Sequence, residues 1–303
     1  MDYIQATLLG LLQGLTEFLP VSSTAHMAIA PQLLGWPDPG AAFSAIVQMG
    51  PIVAIIFYFR SDLARYVQGI LRTGSPTRIP AEDIDARLGW YTLLGTLPGA
   101  IAGLLLEKWV DREFRRLEVI AVSLIALAIV LFIAERIGKR NRSLEQLTLG
   151  QSQVIGWAQA LALIPGTSRS GVTITAGLFQ GLDRESAARF SFLLSIPFIS
   201  AAGLYKLAKA IKAPEMHADL APSLYAAVIA GVFAYVVVKW FLGYMKEHNT
   251  IGFIVYRIAL GITLLVLLSR GYQVKPKAEV NKPTSAAVSS TVTSPDAGAP
   301  PAK

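Results

Sequence analysis

Six apolar runs, at about 42–59, 89–106, 117–134, 186–208, 222–243 and 251–269, are long enough to cross a bilayer as helices, which takes about 20 apolar residues. Two further apolar regions are interrupted. Residues 3–19 stop at Pro20 and resume over 22–34; residues 151–164 stop at Pro165-Gly166 and resume over about 171–181. Each piece is too short to span, and each interruption is polar. The pattern therefore predicts two re-entrant helical hairpins, because irregular backbone at membrane depth is tolerated only where it lines a cavity. Within the spans, Gly50-Pro51 predicts a kink. Gly95, Gly99 and Gly103, four residues apart, predict a face for close helix packing.

The order of elements repeats. A first unit, 1–134, and a second, 151–270, each read as a broken hairpin followed by three spans, separated by a basic loop at 135–150 and followed by a tail at 271–303. A hairpin returns to the side it entered from and three spans do not, so the two units take opposite orientations. The predicted fold is an all-α polytopic membrane protein, an inverted repeat of two units with broken helices meeting near the bilayer midplane. Loop charge sets the direction. Arg60, Arg65, Arg72, Arg78 and Arg87 of 60–87 and the basic residues of 135–150 fall on one side, with Arg184 and Lys246. Lys108, Arg112, Arg115, Arg116, Lys209 and Lys212 fall on the other. The richer side is predicted to be cytoplasmic, with both termini outside. The tail, made of Pro, Ala, Ser, Thr and Lys with little to bury, is expected to be disordered.

Composition agrees with a membrane protein: 53% of residues are hydrophobic and 16% charged. The net charge of +7 does not point to nucleic acid, because the basic residues flank apolar runs rather than forming a stripe with interleaved aromatics. Absence of cysteine excludes disulfides, thiol nucleophiles and thiolate metal sites. Three histidines far apart argue against a zinc cluster. Met1-Asp2-Tyr3 lacks the basic start of a signal peptide.

The candidate chemistry sits at the two interruptions. Gln13 and Glu17, four residues apart, share one helix face. Ser22, Ser23 and Thr24 open the next short helix, and His26 follows at a spacing that lets its ring reach either serine hydroxyl, as nucleophilic or general-base chemistry would need. The competing reading is that the hydroxyls only cap the helix and His26 bonds a carbonyl. An unpaired Glu17 at depth is costly and so demands a partner or a use. In the second interruption, Thr167, Ser168 and Ser170 surround Arg169 at a helix start, with Thr173 one turn on. Free N–H groups, a helix dipole and a planar guanidinium suit phosphate oxygens. An Arg169–Glu17 salt bridge is the structural alternative, and compatible with an anion site in the empty protein. Arg257 sits several residues inside the last span, and snorkelling to the headgroups is the reading offered for it.

Gln13-Gly-Leu-Thr-Glu17-Phe-Leu-Pro-Val-Ser22-Ser23-Thr24-Ala25-His26 and Pro165-Gly-Thr-Ser168-Arg169-Ser170-Gly171 resemble the two signatures of the undecaprenyl-diphosphate phosphatase family, also called bacitracin resistance proteins. Phe190-Ser191-Phe192-Leu193-Leu194 and Tyr256-Arg257 are weaker echoes. The resemblance implies a multi-pass enzyme of the bacterial inner membrane, its site opening to the periplasmic side. It would hydrolyse undecaprenyl diphosphate to the monophosphate carrier used in cell-wall synthesis. It also implies a divalent cation, Mg2+ or Ca2+. Glu17, Ser23, His26 and Arg169 would be the catalytic core, and Gln13, Ser22, Thr24, Ser168, Ser170 and Thr173 would surround the diphosphate. The implied partners are the lipid substrate and the bilayer, with no nucleic acid; a homodimer is left open. Three positions depart from the family pattern. Position 13 is the amide option, leaving Glu17 as the metal carboxylate, Ala25 replaces a glycine, and Ser44 stands where an acid is common. A carrier of anionic polyprenyl lipids is the alternative function, since an inverted repeat serves transport equally well.

Overall fold

The apolar runs become helices, and no β-strand forms among the residues described in the computed structural model, 1–113, 116–211 and 220–271. The helices are α1 (Tyr3–Thr16), α2 (Ser23–Leu33), α3 (Gly40–Tyr58), α4 (Arg60–Thr73), α5 (Ile84–Glu113), α6 (Leu117–Ile137), α7 (Leu149–Ala160), α8 (Arg169–Phe179), α9 (Arg184–Ala210), α10 (Leu220–Glu247) and α11 (Ile251–Ser269). Six of them, α3, α5, α6, α9, α10 and α11, are long and apolar enough to cross a membrane. The protein is thus a polytopic helical membrane protein. The pairs α1–α2 and α7–α8 are 11 to 14 residues per helix, about 16–21 Å at the α-helical rise, too short to span. Residues of the tail from 272 onward, and the side chains of Lys108, Arg112, Arg115 and Lys212, lie outside the described set.

Small residues let these helices approach closely. A Cβ on Gly14 of α1 would lie 2.5 Å from the Ala230 carbonyl of α10, and one on Gly50 of α3 would lie 2.0 Å from the Ala227 carbonyl of the same helix. α7 meets α5 the same way, with a Gly156 Cβ 2.0 Å from the Gly95 carbonyl. In lipid, close packing of this kind replaces the hydrophobic drive that holds soluble bundles together. Gly50→Ala must therefore push α3 off α10, because a backbone oxygen cannot swing aside. Overpacking costs about 1–3 kcal/mol, so the melting temperature of the detergent-purified protein is expected to fall by on the order of 5 °C. An unchanged melt in a thermal-shift assay would refute the contact.

One segment departs from its sequence reading. Residues 60–87, read as a basic loop, contain α4, an amphipathic helix that buries Asp62, Tyr66 and Gly69 and ends at Gly74 in the left-handed conformation, φ 64°. Its charges suggested a loop, but they are spent on tertiary pairs. Asp62 holds Arg65 and Arg189 of α9, each at 2.5 Å. Arg87 donates to the Glu145 carbonyl at 2.7 Å. Nearby, buried Glu135 at the end of α6 gathers Arg140 at 3.1 Å, Arg184 Nε at 2.6 Å and Thr250 Oγ1 at 2.8 Å. Lys246 reaches Glu185 at 3.3 Å. These pairs bring the arginine-rich segments 60–87 and 135–150 and the turns near 184 and 248 to one end of the molecule. Beneath them a core of Phe18, Phe190, Phe192, Phe241 and aliphatic neighbours is sealed, and the two interruptions are set into that core.

Candidate active site

Both helix interruptions are built on the same local device. Ser22 (φ 73°, ψ 92°) and Ser168 (φ 69°, ψ 112°) are N-caps in positive-φ conformations that non-glycine residues rarely adopt. Each caps its helix three residues on, Ser22 Oγ accepting from Ala25 N at 3.4 Å and Ser168 Oγ from Gly171 N at 3.1 Å. Each pairs with a hydroxyl two residues on, Thr24 at 3.1 Å and Ser170 at 3.2 Å. The N–H groups of Ser22, Ser23 and Thr24, and of Ser168, Arg169 and Ser170, have no acceptor among the described residues. Two helix starts with unspent donors therefore lie inside an apolar bundle, where such groups are costly unless a ligand takes them.

The interruptions touch one another. Ser170 Oγ donates to the Leu19 carbonyl at 2.8 Å. Arg169 Nη2 lies 3.4 Å from both the Glu17 carbonyl and Glu17 Oε1, and its guanidinium sits over the Phe18 ring, 5.5 Å from the centroid. Those two bonds are long, and Nε and Nη1, with three N–H groups between them, are buried with no partner among the described residues. A side chain 9% exposed with most of its donors idle is unfavourable when empty and well suited to an incoming polyanion.

Glu17 is the centre of the first interruption. Its Oε2 accepts from Gln13 Nε2 at 2.9 Å and from Ser23 Oγ at 2.7 Å. Gln13, Glu17, Ser23 and Arg169 thus form one bonded cluster. His26 does not join it. Its Nδ1 lies 2.7 Å from the Ser22 carbonyl, which can only accept, so Nδ1 carries the proton. Its Nε2 lies 2.5 Å from the Tyr256 hydroxyl, and the two rings stack at 5.6 Å with 6° between their planes. The spacing allows a His26–Ser23 or His26–Ser22 hydroxyl pair, but the ring turns to the carbonyl and to α11, and the group that takes the Ser23 proton bond is Glu17.

Two other positions also differ from the sequence reading. Thr173, expected beside the diphosphate, is fully buried and spends its hydroxyl on the Arg169 carbonyl at 2.8 Å and Ser191 Oγ at 2.6 Å. Four residues after Arg169, it faces back along α8 and onto α9. Arg257 does not snorkel. It is 0% exposed, and its guanidinium donates to the carbonyls of Pro20 (3.4 Å), Gly166 (3.1 Å) and Thr167 (2.9 Å). Tyr256 and Arg257, adjacent on α11, are the participants whose part sequence reasoning left unassigned. The signal that marked them was an arginine several residues inside an apolar span.

No group of three or more His, Asp or Glu side chains stands together among the described residues, so an all-protein metal cage does not fit. One carboxylate does stand at the site, with the Gln13 amide and the Ser23 hydroxyl beside it. That set fits Mg2+ in its usual manner, held by one or two carboxylates and completed by substrate phosphates and water.

Fold and site together define a multi-pass membrane protein in which two arginines, Arg169 and Arg257, and one carboxylate, Glu17, are buried between two broken helices. The chain belongs to the bacitracin resistance protein BacA family, whose model matches residues 6–263. Among curated relatives it is 48% identical over 281 residues to the undecaprenyl-diphosphatase of Chloroherpeton thalassium, covering 89% of this chain and 98% of that protein. It is 47% identical over 275 residues to the one from Myxococcus xanthus, covering 89% and 91%. It is 45% identical over 276 residues to the one from Renibacterium salmoninarum, covering 89% and 98%.

Proposed function

We propose that the protein is a membrane-embedded phosphatase that hydrolyses undecaprenyl diphosphate to undecaprenyl phosphate and inorganic phosphate, returning the lipid carrier to cell-wall synthesis and thereby conferring bacitracin resistance. The observation that carries this reading is Arg169, buried with idle donors, beside the bonded Ser23–Glu17 pair. An anion site alone suits a transporter as well. A hydroxyl already bonded to a carboxylate next to that site suits phosphoryl transfer, and transport requires no nucleophile. The relatives, named for the diphosphatase activity, support the same choice.

In this mechanism the diphosphate lies between the starts of α2 and α8, held by their N–H groups and by Arg169, which stabilise charge on the transferring phosphoryl group. Ser23 Oγ attacks the terminal phosphorus as its proton passes to Glu17. The new bond is Oγ–P; the bond that breaks joins the terminal phosphorus to the bridging oxygen, and the polyprenyl monophosphate leaves with that oxygen. Glu17 gives that proton to the leaving monophosphate; its freed carboxylate then takes a proton from the water that attacks the phosphoserine and returns it to Ser23 Oγ as the Oγ–P bond breaks and inorganic phosphate is released. His26, with Nδ1–H on the Ser22 carbonyl, holds the entry to α2 and offers Nε2 for proton exchange through Tyr256. A Mg2+ or Ca2+ ion, when bound by Glu17 and substrate oxygens, supplies charge neutralisation of the phosphates. Ser23→Ala is expected to lower phosphate release from a polyprenyl diphosphate by about 10²-fold or more, and EDTA to suppress the wild-type rate. Near-normal release by Ser23→Ala would assign the attack to a Glu17-activated water instead.

The membrane is proposed to be the bacterial inner membrane, with the arginine-rich end cytoplasmic by the positive-inside bias. Gly166 packs against Ile120 and Ser123, near the start of α6 and far along that helix from Glu135 at the arginine-rich end. That placement supports a site opening to the periplasmic side. The inverted repeat is supported by the matched Ser22 and Ser168 caps and by the pairing of α1 with α10 and α7 with α5 through glycines.

A further inference from the structure

Arg257 is a complete positive charge in the middle of a bundle with no carboxylate partner among the described residues, and the mechanism above does not use it. Its guanidinium is bonded instead to three main-chain carbonyls, one from the first interruption and two from the second. It lies on Gly171, where a Cβ would come within 2.7 Å of Nη1, so the absence of a side chain there is what gives the guanidinium its seat. The Thr167–Ser168 peptide is trans, and in a trans peptide C=O and N–H point in opposite directions. With the Thr167 carbonyl held on Arg257 at 2.9 Å, the Ser168 N–H is turned away from Arg257. It is the first of three consecutive N–H groups, Ser168, Arg169 and Ser170, that have no acceptor among the described residues. A run of such groups at a turn into a helix is an anion-binding concavity. Ser168 itself sits in a strained conformation, φ 69°, which surrounding contacts must hold.

We infer that Arg257 is the positioning residue of the phosphate site. By pulling the carbonyls of Pro20, Gly166 and Thr167 to one side, it locks the two interruptions together and keeps the N–H groups of the second turned to the diphosphate. It touches no reacting atom. Arg169 reads the substrate, and Arg257 fixes the backbone from which Arg169 and its neighbouring amides project.

This inference rests on the phosphatase reading, and the experiment separates the two. Phosphate release and the affinity of a non-hydrolysable methylene-bridged prenyl diphosphonate are measured for wild type, Arg257→Met, Arg257→Lys and Gly171→Ala, alongside thermal melts in detergent. Arg257→Met is expected to lower kcat about 100-fold and weaken the analogue about tenfold or more. Arg257→Lys, whose ammonium has three donors for three carbonyls, should recover part of both losses. Gly171→Ala keeps the charge but crowds the guanidinium at 2.7 Å and, less severely, Ser168 at 3.1 Å, so it should lose rate and analogue affinity as well. It decides the question if Arg257→Met fails to fold. A folded Arg257→Met with rate and analogue affinity within twofold of wild type would overturn the inference, as would a wild-type-like Gly171→Ala where Arg257→Met does not fold. Absence of phosphate release by the wild type would instead strike at the phosphatase reading.

Discussion

Arg169→Ala is expected to abolish measurable turnover, lowering kcat/KM by about 10³-fold or more, the range seen when a transition-state cation or oxyanion donor is removed. The size of the effect follows from where the residue stands. Its side chain is 9% exposed, so solvent cannot substitute for it, and its idle Nε and Nη1 donors are free to meet phosphate oxygens without first breaking a strong bond. The contacts it makes when empty, both 3.4 Å to Glu17, are long, so the melting temperature should change much less than the rate. Arg169→Lys should rescue little, since a point charge on a flexible stem does not reproduce the planar fork. Steady-state phosphate release together with a thermal melt checks both halves; turnover within tenfold of wild type in Arg169→Ala would remove the phosphate-site assignment.

Glu17→Gln carries the second large effect, a fall in kcat of about 10²–10⁴-fold, the usual contribution of a positioned base. The substitution keeps size and shape, and its amide oxygen can still accept from Ser23, but it cannot take the proton. It also removes the one carboxylate at a site where position 13 is already an amide. Glu17→Asp keeps the charge but withdraws it from Ser23 Oγ, now at 2.7 Å, and should fall in between. Single-turnover rates with saturating lipid isolate the chemical step. If Glu17→Gln turned over within tenfold of wild type, neither proton acceptance nor cation binding could rest on this residue.

Much of the site is legible in the sequence because polar groups are conspicuous in apolar runs. Glu17 and Arg169 stand out for that reason, and the two proline-marked interruptions locate the half-length helices around them. The helix starts at Ser22 and Ser168 follow from hydroxyls placed directly after the breaks. What the sequence does not disclose are choices between partners at equal spacing. His26 can reach a hydroxyl or a carbonyl of the same turn, and the carbonyl and Tyr256, 230 residues away, win. Thr173 shares a helix face with Arg169, yet its hydroxyl is taken by the Arg169 carbonyl and by Ser191 of α9. Arg257 reads equally as a snorkelling residue, and only the arrival of three carbonyls from two distant loops decides the matter. The helix α4 was obscured because its charges are neutralised by residues far along the chain, Asp62 with Arg189 above all.

The central claim, that the two interruptions together cleave a terminal phosphoanhydride, is tested most directly by following the phosphorus atoms. Purified protein is incubated with undecaprenyl diphosphate in micelles with Mg2+ and observed by phosphorus NMR. The account predicts that the two diphosphate signals decay together into equal amounts of polyprenyl monophosphate and inorganic phosphate, and that neither product forms with Arg169→Ala. An unchanged diphosphate spectrum with folded wild-type protein, or release of inorganic pyrophosphate in place of phosphate, would contradict it.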